Sequence, residues 1–325
     1  MTRPLFLLSF VLAFDHSLPA QQAMAERGTV RFVPRGDQAD VPPRYRLDAH
    51  EFQWEMTPQR SLPVSGVEIF EVRFPSPVET KHAENNTVHA EYYRPKDAKN
   101  CPGVIVLDIT GGDQTLSRVI SRHLAQNGIA GMFVQMAYYG PRRPPGSKLR
   151  LLSTDVCHTL DAVRQTVLDL RRAAAWMESR PELDRSRLGI MGTSLGSFVA
   201  ALTSEMEPKL GRCCVLLGGG GFVDAYYDHP LAKKHRDAYE AWGGTKDFIK
   251  YVIAPVDPLT CAANLKERKL LIVGAKKDEI VPPIMAENLW RASGEQRIVW
   301  LDAGHYSAVL FLTNGLKTVV EHFKQ

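Results

Sequence analysis

An excess of charge of either sign is missing. Forty Lys and Arg stand against 36 Asp and Glu, a formal net charge of +4 over 325 residues. There is no clustered basic surplus of the kind that marks a nucleic-acid binder. Long apolar runs are scarce too. The mean hydropathy is −0.20, and past the first 14 residues nothing approaches the ~20 apolar residues of a membrane span. Cysteines are few: Cys101, Cys157, Cys213, Cys214 and Cys261, odd in number and widely spaced, without a C-x-x-C or a Cys/His set at zinc spacing. That pattern excludes a disulfide-built miniprotein and a zinc finger, and neither a metal nor a cofactor is expected. The five read as small core residues, with one disulfide open to them if the chain is exported. The composition also excludes collagen, mucin-like stalks and wholesale disorder. A chain this long can bury a core without staples.

What is present begins with an export pattern. Thr2 and Arg3 precede an apolar stretch over residues 5–14, broken only by Ser9. A basic start followed by a short apolar run is the signal-peptide pattern. Ala20 and Ala23 offer small-residue cleavage positions, so residues 1–23 are assigned to the signal and the product to a secreted or periplasmic location. A buried or disordered segment of a cytoplasmic protein is the alternative.

Residues 24–66 are rich in Pro and Arg. Pro34, Pro42, Pro43, Pro58 and Pro63 block long helices, and the segment reads as a loose arm with one or two edge strands. Residues 67–74 alternate apolar and polar as a strand does, and 87–93 read as its partner. From Cys101 onward the pattern changes. Residues 104–107 and 129–134 are short apolar runs, as in strands buried on both faces. Leu160, Val163, Val167, Leu170, Ala174 and Met177 step at helical spacing. Strands at 187–191, 213–217, 269–273 and 297–301 alternate with helices at 195–204, 282–291 and 313–323; a further helix spans 114–126. That rhythm predicts an α/β fold over residues 67–325: a mostly parallel twisted sheet with helices on both faces. Residues 218–268 break it. They are too long for one crossover and carry Phe222, Tyr226, Tyr227, Tyr239, Trp242, Phe248 and Tyr251. They are expected to form a lid or cap insertion.

The chemistry concentrates in Gly192-Thr193-Ser194-Leu195-Gly196, a G-x-S-x-G between a predicted strand and a predicted helix. With 16 serines and 24 glycines in the chain, chance supplies only about 0.1 such pentapeptides before the strand-turn-helix context is required. A serine on that strained turn needs close backbone approach on both sides, which favours glycine at 192 and 196. The hydroxyl needs a base, and the base needs an orienting acid. In this fold type they follow in the order Ser, acid, His. Asp278 lies beyond the strand at 269–273 and His305 beyond the strand at 297–301, at the strand ends where active-site groups of open parallel sheets gather. Glu279 and Asp302 are rival acids; Asp302, three residues from His305, is better suited to shaping the turn. For the oxyanion hole, one donor is the N–H of Leu195. The other comes from the Asp108–Asp113 turn, with Thr110 the first choice and Gly111 the second.

These residues resemble an α/β-hydrolase, in the branch of dienelactone-hydrolase-like proteins, acetyl xylan esterases and prolyl-oligopeptidase-type catalytic domains. The resemblance runs from about Val67 to the C-terminus and is most specific over residues 180–196. It implies the α/β-hydrolase fold and hydrolase chemistry, with the family's acid and histidine carried onto Asp278 and His305. Two departures stand out. Asp108-Ile109 occupies the place of the His-Gly of many relatives, and dienelactone hydrolases use cysteine where this chain has Ser194. The expected activity is therefore hydrolysis of a small-molecule or carbohydrate ester through an acyl-enzyme. A prolyl-oligopeptidase-like peptidase and a non-catalytic binding protein on the same scaffold are the alternatives. No nucleic-acid partner is expected. Arg142 and Arg143, on a Pro-rich cationic loop after the strand at 129–134, are candidates for holding an anionic part of the substrate. Tyr226 and Tyr227 of the insertion are candidates for shaping its size preference.

Overall fold

The computed structural model describes residues 25–59, 66–111 and 113–325. The export signal expected at residues 1–23 lies outside the described residues. One ten-stranded sheet organises the chain. Its strands are β1 (Glu26–Phe32), β2 (His50–Pro58), β3 (Val67–Pro75), β4 (Thr87–Pro95), β5 (Cys101–Leu107), β6 (Ala130–Val134), β7 (Leu183–Thr193), β8 (Arg212–Leu216), β9 (Lys269–Ala275) and β10 (Arg297–Leu301). Their spatial order is β1-β2-β3-β4-β6-β5-β7-β8-β9-β10. The first four are antiparallel to their neighbours, and the six from β6 to β10 run parallel.

Why the parallel strands are apolar throughout follows from what covers them. Side chains alternate between faces along a strand. Val104 and Val106 of β5 face a cluster with Ile120, Leu124, Val319 and Phe323, from α1 (Thr115–Gln126) and α8 (Leu312–Lys324). Ile105 and Leu107 face the opposite cluster with Val167, Leu170 and Leu202, from α2 (Val156–Glu178) and α3 (Leu195–Met206). Leu289 of α7 (Pro283–Ala292) joins that second face. The α2 helix starts at Asp155, whose carboxylate accepts the N–H of His158 at 3.2 Å, a standard N-cap.

The N-terminal arm is not loose. β1 and β2 extend the sheet, and Phe32, Tyr45, Phe52 and Trp54 are buried in the main core. Trp54 meets the edge of Trp176 with ring centroids 5.9 Å apart. Arg171 of α2, fully buried, ties the arm to the core through Glu207 at 3.1 Å, Gln38 and the Tyr45 carbonyl. Pro34, Pro42 and Pro43 lie between its strands, while the apolar alternation of Phe52, Trp54 and Met56 sets β2.

The insertion folds as three short helices, α4 (Phe222–Tyr226), α5 (Lys233–Ala241) and α6 (Lys246–Ile253), followed by 3-10 turns. Its entry is pinned by the Asp257 carboxylate, which accepts the N–H groups of Gly221 and Phe222, each at 2.8 Å. Among the described residues, no helix is long and apolar enough to cross a membrane.

Candidate active site

The strand order places a reversal between β5 and β7. From β5 the chain crosses to β6 on one side, then returns past β5 to β7 on the other. Such a switch point opens a crevice at the strands' C-terminal ends. Ser194 sits there, between the end of β7 and the start of α3, with φ 51° and ψ −118°. That backbone geometry costs roughly 1–3 kcal/mol and persists only where its surroundings enforce it. The enforcement is visible. The Ser194 N–H donates to the Leu216 carbonyl at 2.9 Å. A Cβ on Gly192 would lie 2.1 Å from the Gly196 carbonyl oxygen, and one on Gly196 would lie 2.4 Å from the Asp108 carbonyl oxygen. Both glycines are therefore required by close approach of backbone to backbone.

Three loops converge on that serine. Asp278 follows β9, and its Oδ1 accepts the N–H groups of Ile280 at 2.9 Å and Val281 at 2.7 Å. His305 follows β10. Its Nδ1 lies 2.8 Å from Asp278 Oδ2, and its Nε2 lies 3.0 Å from Ser194 Oγ. An ionised carboxylate can only accept, so the Nδ1 hydrogen points to Asp278 and the Nε2 lone pair faces the serine hydroxyl. The two rival acids do other work. Glu279 Oε2 accepts the backbone N–H of His305 at 3.2 Å, which fixes the loop and leaves the ring free. Asp302 is exposed and pairs with Lys277 at 2.9 Å, and this hydrogen bond holds its carboxyl below the usual range.

Opposite the serine, the turn after β5 is organised by Asp108. Its buried carboxylate accepts the N–H groups of Ile109 at 2.7 Å and Ser117 at 3.0 Å. Burial pushes its pKa up despite those bonds. Because Ile109 spends its N–H on Asp108, Thr110 is the next backbone donor along the turn. Thr110 lines the site, its hydroxyl 3.2 Å from that of Tyr139. Leu195 opens α3, where the first N–H groups have no intrahelical acceptor.

Ser194 and His305 border a pocket of about 400 Å³. Ile109, Thr110 and Leu116 line one side, and Thr193, Leu216, Leu217 and Val273 the strand ends. Ile280, Leu301, Tyr306, Ala308, Val309, Gly315 and Leu316 complete it. No Asp, Glu, Lys or Arg is among these residues.

Arg142, expected at the substrate, is fully buried and faces inward. It donates to Asp169 at 2.7 Å and to the carbonyls of Gln135 and Asn85 at 3.0 and 2.9 Å. Ser76 and Gln165 complete the network around Asp169. The cationic loop leaves the sheet at the same edge as Ser194, but its chain turns back and clasps α2. Arg143 donates to the Tyr138 carbonyl at 3.4 Å and does not line the pocket.

The tyrosines also stand aside. Tyr226 packs near Phe198, Val281 and Met285 and donates to the Ile280 carbonyl; burial, then the Asp278 charge, pushes its hydroxyl up to about 12. Tyr227 donates to Glu240 at 2.7 Å. Among the described residues, none from 218–268 lines the pocket. Tyr226 makes the insertion a buttress for the acid's loop rather than a cover over the serine. The walls that the sequence did not point to are Tyr306, Ala308, Val309, Gly315 and Leu316, whose signal was an apolar stretch directly after the histidine.

Comparison with known proteins agrees with this architecture. The family model "Alpha/beta hydrolase domain containing 18" matches residues 47–227, and that of the prolyl oligopeptidase family matches residues 159–297. An uncharacterized protein of Mycobacterium tuberculosis is 28% identical over 153 residues, 46% of this chain and 35% of that protein. The hydrolyase poxO of Penicillium oxalicum is 27% identical over 147 residues, 45% of this chain and 32% of that protein. These matches span about a third of each curated relative's length. Acetyl xylan esterase 1 from Thermoanaerobacterium sp. superposes with a TM-score of 0.62 at 18% identity, over 82% of this chain and 87% of that one. The acetyl xylan esterase of Paenibacillus sp. R4 gives 0.63 at 16%, over 82% and 88%. At such identities these likenesses speak for the fold alone. With more than half of its residues under the first family model, the chain belongs to the α/β-hydrolase domain containing 18 family of the α/β-hydrolase superfamily.

Proposed function

We propose that the protein is a serine hydrolase of carboxylic esters that works through an acyl-enzyme. The observation that carries the reading is the unbroken chain from Asp278 through His305 to Ser194, closed at 2.8 and 3.0 Å on a strained turn. In the first half-reaction Ser194 Oγ attacks the ester carbonyl carbon, and its proton passes to His305 Nε2. The carbonyl π pair moves onto oxygen, where the N–H groups of Leu195 and Thr110 hold the charge. The tetrahedral adduct collapses, the C–O bond to the alcohol breaks, and the imidazolium returns the proton to the leaving oxygen. Water then attacks the acyl-enzyme with His305 as base, releasing the acid and restoring the serine. Asp278 fixes the tautomer and stabilises the imidazolium.

An amide would pass through the same steps, and the partial match to the prolyl oligopeptidase family favours that second reading. Labelling with a fluorophosphonate, followed by paired ester and amide substrates of one acyl group, separates the two. The proposal expects covalent labelling that Ser194→Ala abolishes, together with faster ester turnover. An unlabelled folded protein that cleaves no ester refutes it.

A further inference from the structure

Gly315 has no local reason to be glycine. It is the fourth residue of α8, where helix propensity favours alanine over glycine. Its φ lies outside the left-handed region, and a Cβ built on it meets nothing within 4 Å among the described residues. Neither strain nor crowding explains the choice. Gly315 does, however, line the pocket that opens on Ser194. The space beside it is continuous with the site of attack.

The size of that space is informative. An apolar cavity of about 150 Å³ accepts a benzene ring of six carbons. At about 400 Å³, an acetyl group would leave most of this pocket empty. Leu116 and Leu316 wall it, and its residues include no charged Asp, Glu, Lys or Arg side chain, so a charged acyl group would be buried without a partner. The acyl part of a substrate stays attached to Ser194 while the alcohol leaves and water enters. An apolar recess suits the part that stays. Tyr306, which lines the pocket and is 74% exposed, marks where the pocket meets solvent.

Resting on the reading of Ser194 as the nucleophile, we infer that the pocket holds an uncharged apolar acyl chain of about six to ten carbons and that Gly315 sets its length. The enzyme thus takes medium-chain esters rather than acetyl esters, and the glycine acts as a specificity-determining residue by keeping the recess open.

The test uses the full chain and two ester series, one with ethanol as the constant alcohol and acyl length rising from two to twelve carbons, the other with acetate constant and alcohol length rising. The wild type should favour octanoate over acetate in kcat/KM and show a flatter response to the alcohol. Gly315→Leu should lower the octanoate-to-acetate ratio at least tenfold, since its four-carbon side chain displaces several methylenes of the acyl chain, each worth about fourfold. Gly315→Ala, which helix propensity favours and which guards against a misfolded leucine variant, should lower it about fourfold. A labelled wild type that prefers acetate, or selects on the alcohol instead, overturns the inference alone. So does an unchanged ratio in both variants. A wild type that takes no fluorophosphonate overturns the reading of Ser194 together with it.

Discussion

Replacing Gly196 by alanine is a demanding test of how the serine turn is built. A Cβ there would lie 2.4 Å from the Asp108 carbonyl oxygen and 2.7 Å from that of Leu107, where ordinary contact begins at 3.4 Å. Both obstacles are backbone, and neither can rotate away. The N-terminal turn of α3 must therefore shift by about 1 Å from the end of β5, the shortfall set by van der Waals contact. Leu195, the expected oxyanion donor, is the preceding residue and moves with it. A misplacement of this size costs on the order of 10²-fold in rate. Overpacking costs about 1–3 kcal/mol in stability, a few degrees in Tm for a domain of this size. The assay is the second-order rate of fluorophosphonate labelling beside thermal unfolding. The reasoning expects labelling to slow about a hundredfold while the protein still unfolds cooperatively a few degrees early. A variant that labels within threefold of wild type and keeps its Tm would show that the contact is soft and that the glycine is not what holds the turn.

Three further outcomes follow from other parts of the structure. Asp278→Asn should lower kcat about 10⁴-fold by presenting the wrong histidine tautomer, whereas exposed Asp302→Asn should stay near wild type; the reverse result would exchange their roles. Arg142→Ala should destabilise by about 3–5 kcal/mol, because it strands the buried Asp169 carboxylate. Chemical denaturation reads the loss, and an intact stability with a changed preference for acidic esters would restore the substrate role. Glu205 on α3 is buried, both its oxygens lack a partner among the described residues, and burial followed by the Asp257 charge raises its pKa well above 4.5. The unfolded chain ionises it first, so its contribution to stability falls as pH rises above 4.5 toward the folded value. Glu205→Gln should raise Tm more at pH 8 than at pH 5, and an equal shift at both would contradict the buried neutral acid.

Much of the fold can be read from the residue order because parallel strands buried on both faces must be continuously apolar. Residues 104–107 and 129–134 carry that mark, and the six-residue stripe from Leu160 to Met177 lies along the helix it predicts. The G-x-S-x-G context and the order of Asp278 and His305 identify three side chains that the structure brings within hydrogen-bonding distance. Other features depend on information that pattern does not hold. Whether a cationic loop faces water or folds inward is decided by a buried acceptor 27 positions away, the Arg142 partner Asp169. The arm shows the same limit from the other side. Its prolines signal turns, but Trp176 and Arg171, far along the chain, decide that it packs. The pocket walls at Tyr306, Ala308, Val309, Gly315 and Leu316 follow β10 and are brought to the serine by its place in the sheet.

That last strand carries a further consequence. Among the described residues β10 lies at the edge of the sheet and pairs only with β9, and four of its five residues are partly exposed. His305, the base of the proposed mechanism, hangs from the loop just beyond it. Edge elements open locally at a lower free energy than the core, so fraying of this one strand would withdraw the imidazole while nine strands remain paired. Reactivity of Ser194 then becomes a local gauge of order at the sheet's edge, extinguished in mild denaturant before the tryptophans of the core report any melting.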